Sequence, residues 1–310
     1  MAKVCHLIEV IKKGVFMILI KKYDIPYDKF TSDSTNTETQ WASGTYSLND
    51  IRWYQKNVYK VIVASTTQVP GAGTDWEVLY ATNVWKCFDN IVGTQTEKAD
   101  TLHLTITEPT ELINGIAFFN VSCDTIQVKV TDLTDGIVYD KTINMSTSPD
   151  LEADWYSWFF SAFRFIKDVS FIDLPAYFGS GVTIDIILIN TGDNATIGEC
   201  VCGTLTNIGI TSYPLKTGIF DYSRKTVTDE GYYVIEQRPF RKIADFSLSL
   251  EATDMARVQN ILTELRNEPT VFIGDENFET SIIYGFYKNF DILFEVPPMA
   301  ICNLSVEGLV

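Results

Sequence analysis

Histidine is nearly absent from this sequence: His6 and His103 are the only two in 310 residues. Reaction centres and metal sites that depend on imidazole therefore have little to draw on. His103 lies between Leu102 and Leu104, on the polar side of an alternating run, and reads as a surface histidine rather than a general base. Positive charge is scarce as well. With 24 Lys and Arg against 40 Asp and Glu, the formal charge is −16. Such a surface repels a phosphate backbone and no basic stripe interrupts it, so nucleic acid is not an expected partner. Long apolar runs are missing too. The most apolar N-terminal stretch, Val15 to Ile20, is bracketed by Lys12, Lys13, Lys21 and Lys22. It falls far short of the ~20 residues of a membrane span, and no small-residue cleavage site follows it.

Catalytic signatures are also lacking. There is no GxSxG elbow, no P-loop and no HExxH. Glu152 and Asp154, beside Trp155, Tyr156 and Trp158, form the most suggestive acidic cluster, yet they read more simply as solvated acids on an aromatic strand. Asp132-Leu133-Thr134-Asp135-Gly136 has calcium-loop composition but no closing glutamate, and is better read as a hairpin turn. The six cysteines (Cys5, Cys87, Cys123, Cys200, Cys202 and Cys302) are too scattered for a disulfide framework. Cys200 and Cys202, two apart on a strand, point to one face and read as buried thiols. No enzyme activity, metal or cofactor is expected.

What is present is aromatic and β-forming. Phe, Tyr and Trp make up 13% of the chain, and Thr, Val and Ile are abundant. The expected fold is mostly β, in a row of modules. Residues 1–40 form an N-terminal arm and linker, with a strand from Ile18 to Tyr23. Lys12-Lys13-Gly14-Val15 back-translates to a purine-rich stretch ahead of Met17, so residues 1–16 read either as untranslated leader or as a β arm. Residues 41–80 form a small aromatic β module. Residues 81–212 carry closely spaced short β runs (Leu102 to Ile106, Ile116 to Val121, Ile126 to Val130, Thr183 to Ile189) and predict a jelly-roll or β-sandwich. Residues 213–310 predict an α+β docking domain. Its one helix, Asp254 to Asn267, presents Met255, Val258, Leu262 and Leu265 on one face, with Thr253 as N-cap and Pro269 as stop.

In the 41–80 module the order is Trp41, Tyr46, Asn49-Asp50, Trp53-Tyr54, a turn, Tyr59, Pro70 and Trp76. It resembles the short chitin-binding-like carbohydrate-binding modules of chitinases and many phage proteins. It departs from them in having Asn49 for the turn glycine and a following strand one residue out of phase. Flat aromatic rings stack on the CH faces of sugars. The resemblance implies carbohydrate contacts at Trp53 and Tyr54, with Trp41 and Trp76 at positions that are mostly core. A module this small also needs aromatics simply to hold itself together.

From Met17 onward the chain resembles a family of tailed-bacteriophage virion proteins. The matching runs are Met17-Ile18-Leu19-Ile20, the aromatic module, Thr82 to Asp89 (TNVWKCFD), Asp154 to Phe160 (DWYSWFF), Ile219 to Lys225 (IFDYSRK), Pro269 to Gly274 (PTVFIG) and Tyr284 to Tyr287 (YGFY). The resemblance implies a galactose-binding-like sandwich in the middle domain. It implies a non-catalytic tail or collar component in several copies, assembled with other virion proteins in the bacterial cytoplasm. The N-terminal arm would add a strand to a neighbour's sheet edge. The rival expectations are an adhesin that binds host-surface glycan through residues 41–80, and a polysaccharide depolymerase.

Overall fold

The computed structural model describes residues 15–147, 164–296 and 299–310. Cys5, His6, the Lys12-Lys13-Gly14 run and the whole Glu152/Asp154 aromatic cluster lie outside the described residues.

The chain begins with β1 (Phe16–Lys22) and β2 (Phe30–Ser32). The aromatic module holds β3 (Tyr46–Ser47), β4 (Ile51–Tyr54), β5 (Asn57–Val61), β6 (Ser65–Thr66) and β7 (Trp76–Ala81). Then come β8 (Thr96–Thr107), β9 (Gly115–Phe119), β10 (Thr125–Asp132), β11 (Gly136–Asn144), β12 (Ser146–Thr147), β13 (Arg164–Phe165), β14 (Val169–Phe171) and β15 (Val182–Ile197). The last part comprises β16 (Glu199–Asp221), β17 (Arg224–Val227), β18 (Tyr233–Glu236), β19 (Phe240–Glu251), α1 (Met255–Glu264), β20 (Thr270–Ile273), β21 (Ile282–Val296) and β22 (Met299–Gly308). The fold is mostly β, with one α-helix among the described residues.

The sandwich forms where the sequence alternates. Antiparallel strands in the order β11-β10-β15-β8-β2 make a five-stranded sheet. Its inward residues include Leu102, Leu104, Ile126, Val128, Ile184 and Ile186. They pack on Ile116, Phe118, Phe171, Cys200 and Cys202 from β9, β14 and the start of β16. The Asp132–Gly136 segment is a hairpin turn, as its composition predicts. The Asp132 carboxylate accepts the Thr134 and Asp135 N–H groups at 2.8 and 3.0 Å, and Gly136 takes φ +77°.

β9 is buried along its whole length, Gly-Ile-Ala-Phe-Phe. A continuous apolar run of this kind signals a strand covered on both faces. Ile116 and Phe118 face the sandwich core. Ala117 and Phe119, with Val201, face Ile20, Val271 and Tyr284.

The second body is a closed barrel. β16 is 23 residues long. It pairs with β9 over Glu199–Gly203, with β1 over Gly203–Ile210 and with β19 from Ile210 onward. β1 pairs in turn with β20, β20 with β21, β21 with β22, and β22 with β19. The cycle β1-β20-β21-β22-β19-β16 therefore closes on itself, all antiparallel, and no strand in it is left as an open edge. Its interior holds Met17, Leu19, Phe246, Leu248, Phe272 and Leu304, and α1 adds Val258 and Leu262 to the same core. The helix starts at Met255 with Asp254 at the cap position and no side-chain cap; the Asp254 carboxylate instead accepts Arg257 Nε at 3.2 Å, so Thr253 is not the N-cap.

Two expectations change. β16 runs through the expected 212/213 boundary, so the C-terminal body borrows β1 and the end of β16 and is not built from residues 213–310 alone. And β1 does not reach for a neighbour. Both its edges are taken within its own chain, because Met17, Leu19 and Ile20 are fully buried only there.

Candidate functional site

The aromatic module is a three-stranded sheet, β4-β5-β7, with the short pair β3-β6 beside it. Its turns fall where the sequence places them, with Asn49 and Gln55 at φ +71° and +52°. One face is the core. Tyr46, Tyr59, Val61 and Trp76 are buried together, with Trp41, Tyr54 and Val63 packed on them. Tyr46 and Trp76 meet edge-on at 5.4 Å, and Trp41 and Tyr54 at 5.5 Å. Trp76 Nε1 donates to the Gln68 carbonyl at 2.9 Å, and Tyr46 Oη donates to the Ala42 carbonyl at 2.7 Å.

Trp53, Tyr54, Trp41 and Trp76 are therefore not one site. Trp76, 5% exposed, is core and its ring is closed to a ligand. Trp41 and Tyr54 serve that same core from its rim. Trp53 stands apart. Successive strand residues point to opposite faces, so Trp53 projects away from the core that Tyr54 joins. Register places Trp53, Val58 and Tyr80 in one row across β4, β5 and β7. Val58 is fully buried, Trp53 is half-buried and Tyr80 is 47% exposed. Two aromatic rings thus flank an apolar floor, about 10 Å apart from first strand to third.

Tyr80 was not a candidate in the sequence, and a bulge explains why. Counting by two from buried Trp76 puts Tyr80 on the core face. The register shifts between Val58 and Tyr59, leaving Leu79 as an extra residue that moves Tyr80 to the Trp53 face. There its hydroxyl donates to the Glu38 carboxylate at 2.9 Å. Burial acts to raise the Glu38 pKa, but hydrogen bonds from Thr37, its own backbone and Tyr80 outweigh it, so Glu38 titrates below its ordinary range. The Glu38 hydrogen bond, with some burial, raises the Tyr80 pKa. An ionised acceptor and a phenol beside two rings match what a sugar presents: CH faces for stacking and hydroxyl edges for hydrogen bonds.

The module is fixed to the sandwich. Lys56 donates to the Ile25 carbonyl at 2.9 Å and lies 4.4 Å over the Trp85 ring, and burial lowers its pKa. Asn83 donates to the carbonyls of Thr35 and Glu97.

A second concavity, of about 320 Å³, lies where sandwich and barrel meet and is lined by Phe119, Lys167, Asp168, Lys242, Glu279 and Tyr284 among others. Its polar groups are engaged with each other. Lys242 pairs with Asp168, which also accepts the Asn120 N–H, and Glu279 accepts the Lys167 N–H at 3.0 Å. His103 is a surface residue, paired through Nε2 with Asp185 at 3.0 Å. The Cys200 and Cys202 sulfurs are buried 3.6 Å apart, and burial raises the Cys200 pKa. Among the described residues no three His, Cys, Asp or Glu side chains are grouped as metal ligands, and no helix is long and apolar enough to cross a membrane.

No protein-family model, curated protein or solved structure matches the chain. The functional reading rests on its residues and their geometry.

Proposed function

We propose that this chain is a non-catalytic structural protein of a tailed-bacteriophage particle, in the tail or collar region, present in several copies and assembled with other virion proteins in the bacterial cytoplasm. One observation carries the assembly role. The β17–β18 ribbon leaves Val227, Tyr232, Tyr233, Val234 and Ile235 exposed. Exposed apolar groups gathered in this way mark an interface. The sandwich, the barrel and the arm strand share one sheet through β16, which suits a part that carries load between neighbours. The test is mass spectrometry of purified particles: peptides from the chain at several copies per particle are expected, and particles free of it would sink this reading.

A second reading, compatible with the first, is favoured by the Trp53–Tyr80 row. It makes the module a contact for host-surface glycan. A glycan array probed with the wild type, Trp53→Ala and Tyr80→Ala checks it. The expected outcome is binding by the wild type and at least about a fivefold loss in each variant, since a stacked ring contributes on the order of 1–3 kcal/mol in comparable stacking sites. Silence from all three proteins leaves assembly as the whole role.

A further inference from the structure

The ribbon leaves the barrel between β16 and β19, and its two strands pair only with each other. Every residue from Arg224 to Phe240 is exposed, Tyr233 to 72% and Ile235 to 65%. A lone two-stranded ribbon is marginal in water; a third strand or a packed face is needed to hold it. The two outer edges differ in character. β17 reads Arg224-Lys225-Thr226-Val227, and charge on an edge discourages a further strand. β18 reads Tyr233-Val234-Ile235-Glu236, aromatic and β-branched over its first three residues. The β18 edge is the open template.

Charge selects the strand that fits it. The tip carries Asp229 and Glu230, and the foot carries Arg224, Lys225 and Arg238 against Glu236, with which Arg238 pairs at 3.0 Å, so the foot stays net basic. In a chain with 24 basic and 40 acidic residues such a basic foot is unusual. A ribbon with an acidic tip and a basic foot is complementary to itself when two copies lie antiparallel. We propose that the occupant of this edge is a second copy of this chain. The two β18 strands pair antiparallel about a two-fold axis, giving a four-stranded sheet in which Tyr233 lies opposite the partner's Ile235 and Val234 opposite the partner's Val234. Carried outward, that register sets Arg238 opposite the partner's Glu230. Each contact occurs twice, as a two-fold interface requires.

This inference deepens the assembly role and rests on it, yet the two fail separately. A monomer found in particles ends the pairing alone, and a dimer absent from particles ends the virion reading alone. The register can be tested with charge. Opposed like charges weaken a cross-strand pair and opposed unlike charges support it. Light scattering on the full-length protein at micromolar concentration is expected to give a dimer for the wild type. Y233K/I235K sets lysine opposite lysine and halves the mass. Y233E/I235K sets glutamate opposite the partner's lysine and restores the dimer, now sensitive to salt. Tyr233 and Ile235 are both exposed, so unchanged thermal melting of the monomer fold verifies that neither variant is misfolded. A monomeric wild type, a wild type that closes into a larger ring, a dimer indifferent to Y233K/I235K, or a Y233E/I235K protein that stays monomeric overturns the proposal.

Discussion

Glu199 is a carboxylate with no exposed surface. It accepts Lys22 Nζ at 2.8 Å and the Asn90 N–H at 2.9 Å, while Lys22 also reaches Asn90 Oδ1 and the Tyr284 hydroxyl. Strand β1, the 88–90 loop, the sandwich and the barrel all meet at this carboxylate. Burial pushes its pKa up to about 7, against the pull of Lys22 and the Asn90 N–H. An acid whose folded pKa lies above its unfolded value holds its proton more tightly in the folded state. Its stabilising contribution is complete below about pH 4.5 and is lost as pH rises through about 7, a difference on the order of 3 kcal/mol. Thermal melting of wild type and Glu199→Gln across pH 4 to 8 checks this. The difference in Tm is expected to move in favour of the wild type as pH falls from about 7 to about 4.5, and a constant difference would refute it. Nothing in the sequence marks this residue, because Glu199 and Lys22 are distant in the chain and meet only through the pairing of β1 with β16.

At the scale of elements, β16 decides the architecture. At Gly203 it is paired with β9 on one edge and β1 on the other, and a Cβ there would collide with the Lys21 carbonyl. Backbone cannot be moved aside as a side-chain end can. Gly203→Ala is therefore expected to cost about 1–3 kcal/mol in urea unfolding. Gly218→Ala, on the same strand, meets only Ile243 at an ordinary 3.5 Å and is expected to stay within about 0.5 kcal/mol of wild type. Equal losses at both sites would mean that strand propensity, not close approach, sets the cost. Alternation made β8, β10 and β15 legible in the sequence, and 3.6-residue spacing made α1 legible. The Leu79 bulge was not, since one inserted residue reverses every later facing and leaves no mark in composition. For the same reason Tyr80 went unread, while Tyr54, read as a contact, packs on the module core with Trp41.

For the molecule as a whole, the arm matters most. β1 fills the gap between β16 and β20, and Met17, Leu19 and Ile20 are buried by it. A chain begun at Met17 keeps all three and is expected to fold with an unchanged Tm. A chain begun at Tyr23 opens the barrel, exposes two strand edges and unpairs Glu199, so aggregation and loss of the cooperative melting transition are expected. A soluble, cooperatively folding protein starting at Tyr23 would show that closure is dispensable.

By itself the sequence determined the β class, the strand periodicities, the helix α1, the hairpin turns and the acidic surface. Each of these follows from residues close together in the chain or from simple totals. Only the tertiary structure decided that β1 closes a barrel instead of reaching for a neighbour, that β16 belongs to two bodies at once, that Trp53 finds its companion in Tyr80, and that the 224–236 ribbon stands uncovered. Those outcomes depend on which edges meet and on the register in which they meet, and hydrogen bonding between distant strands sets both.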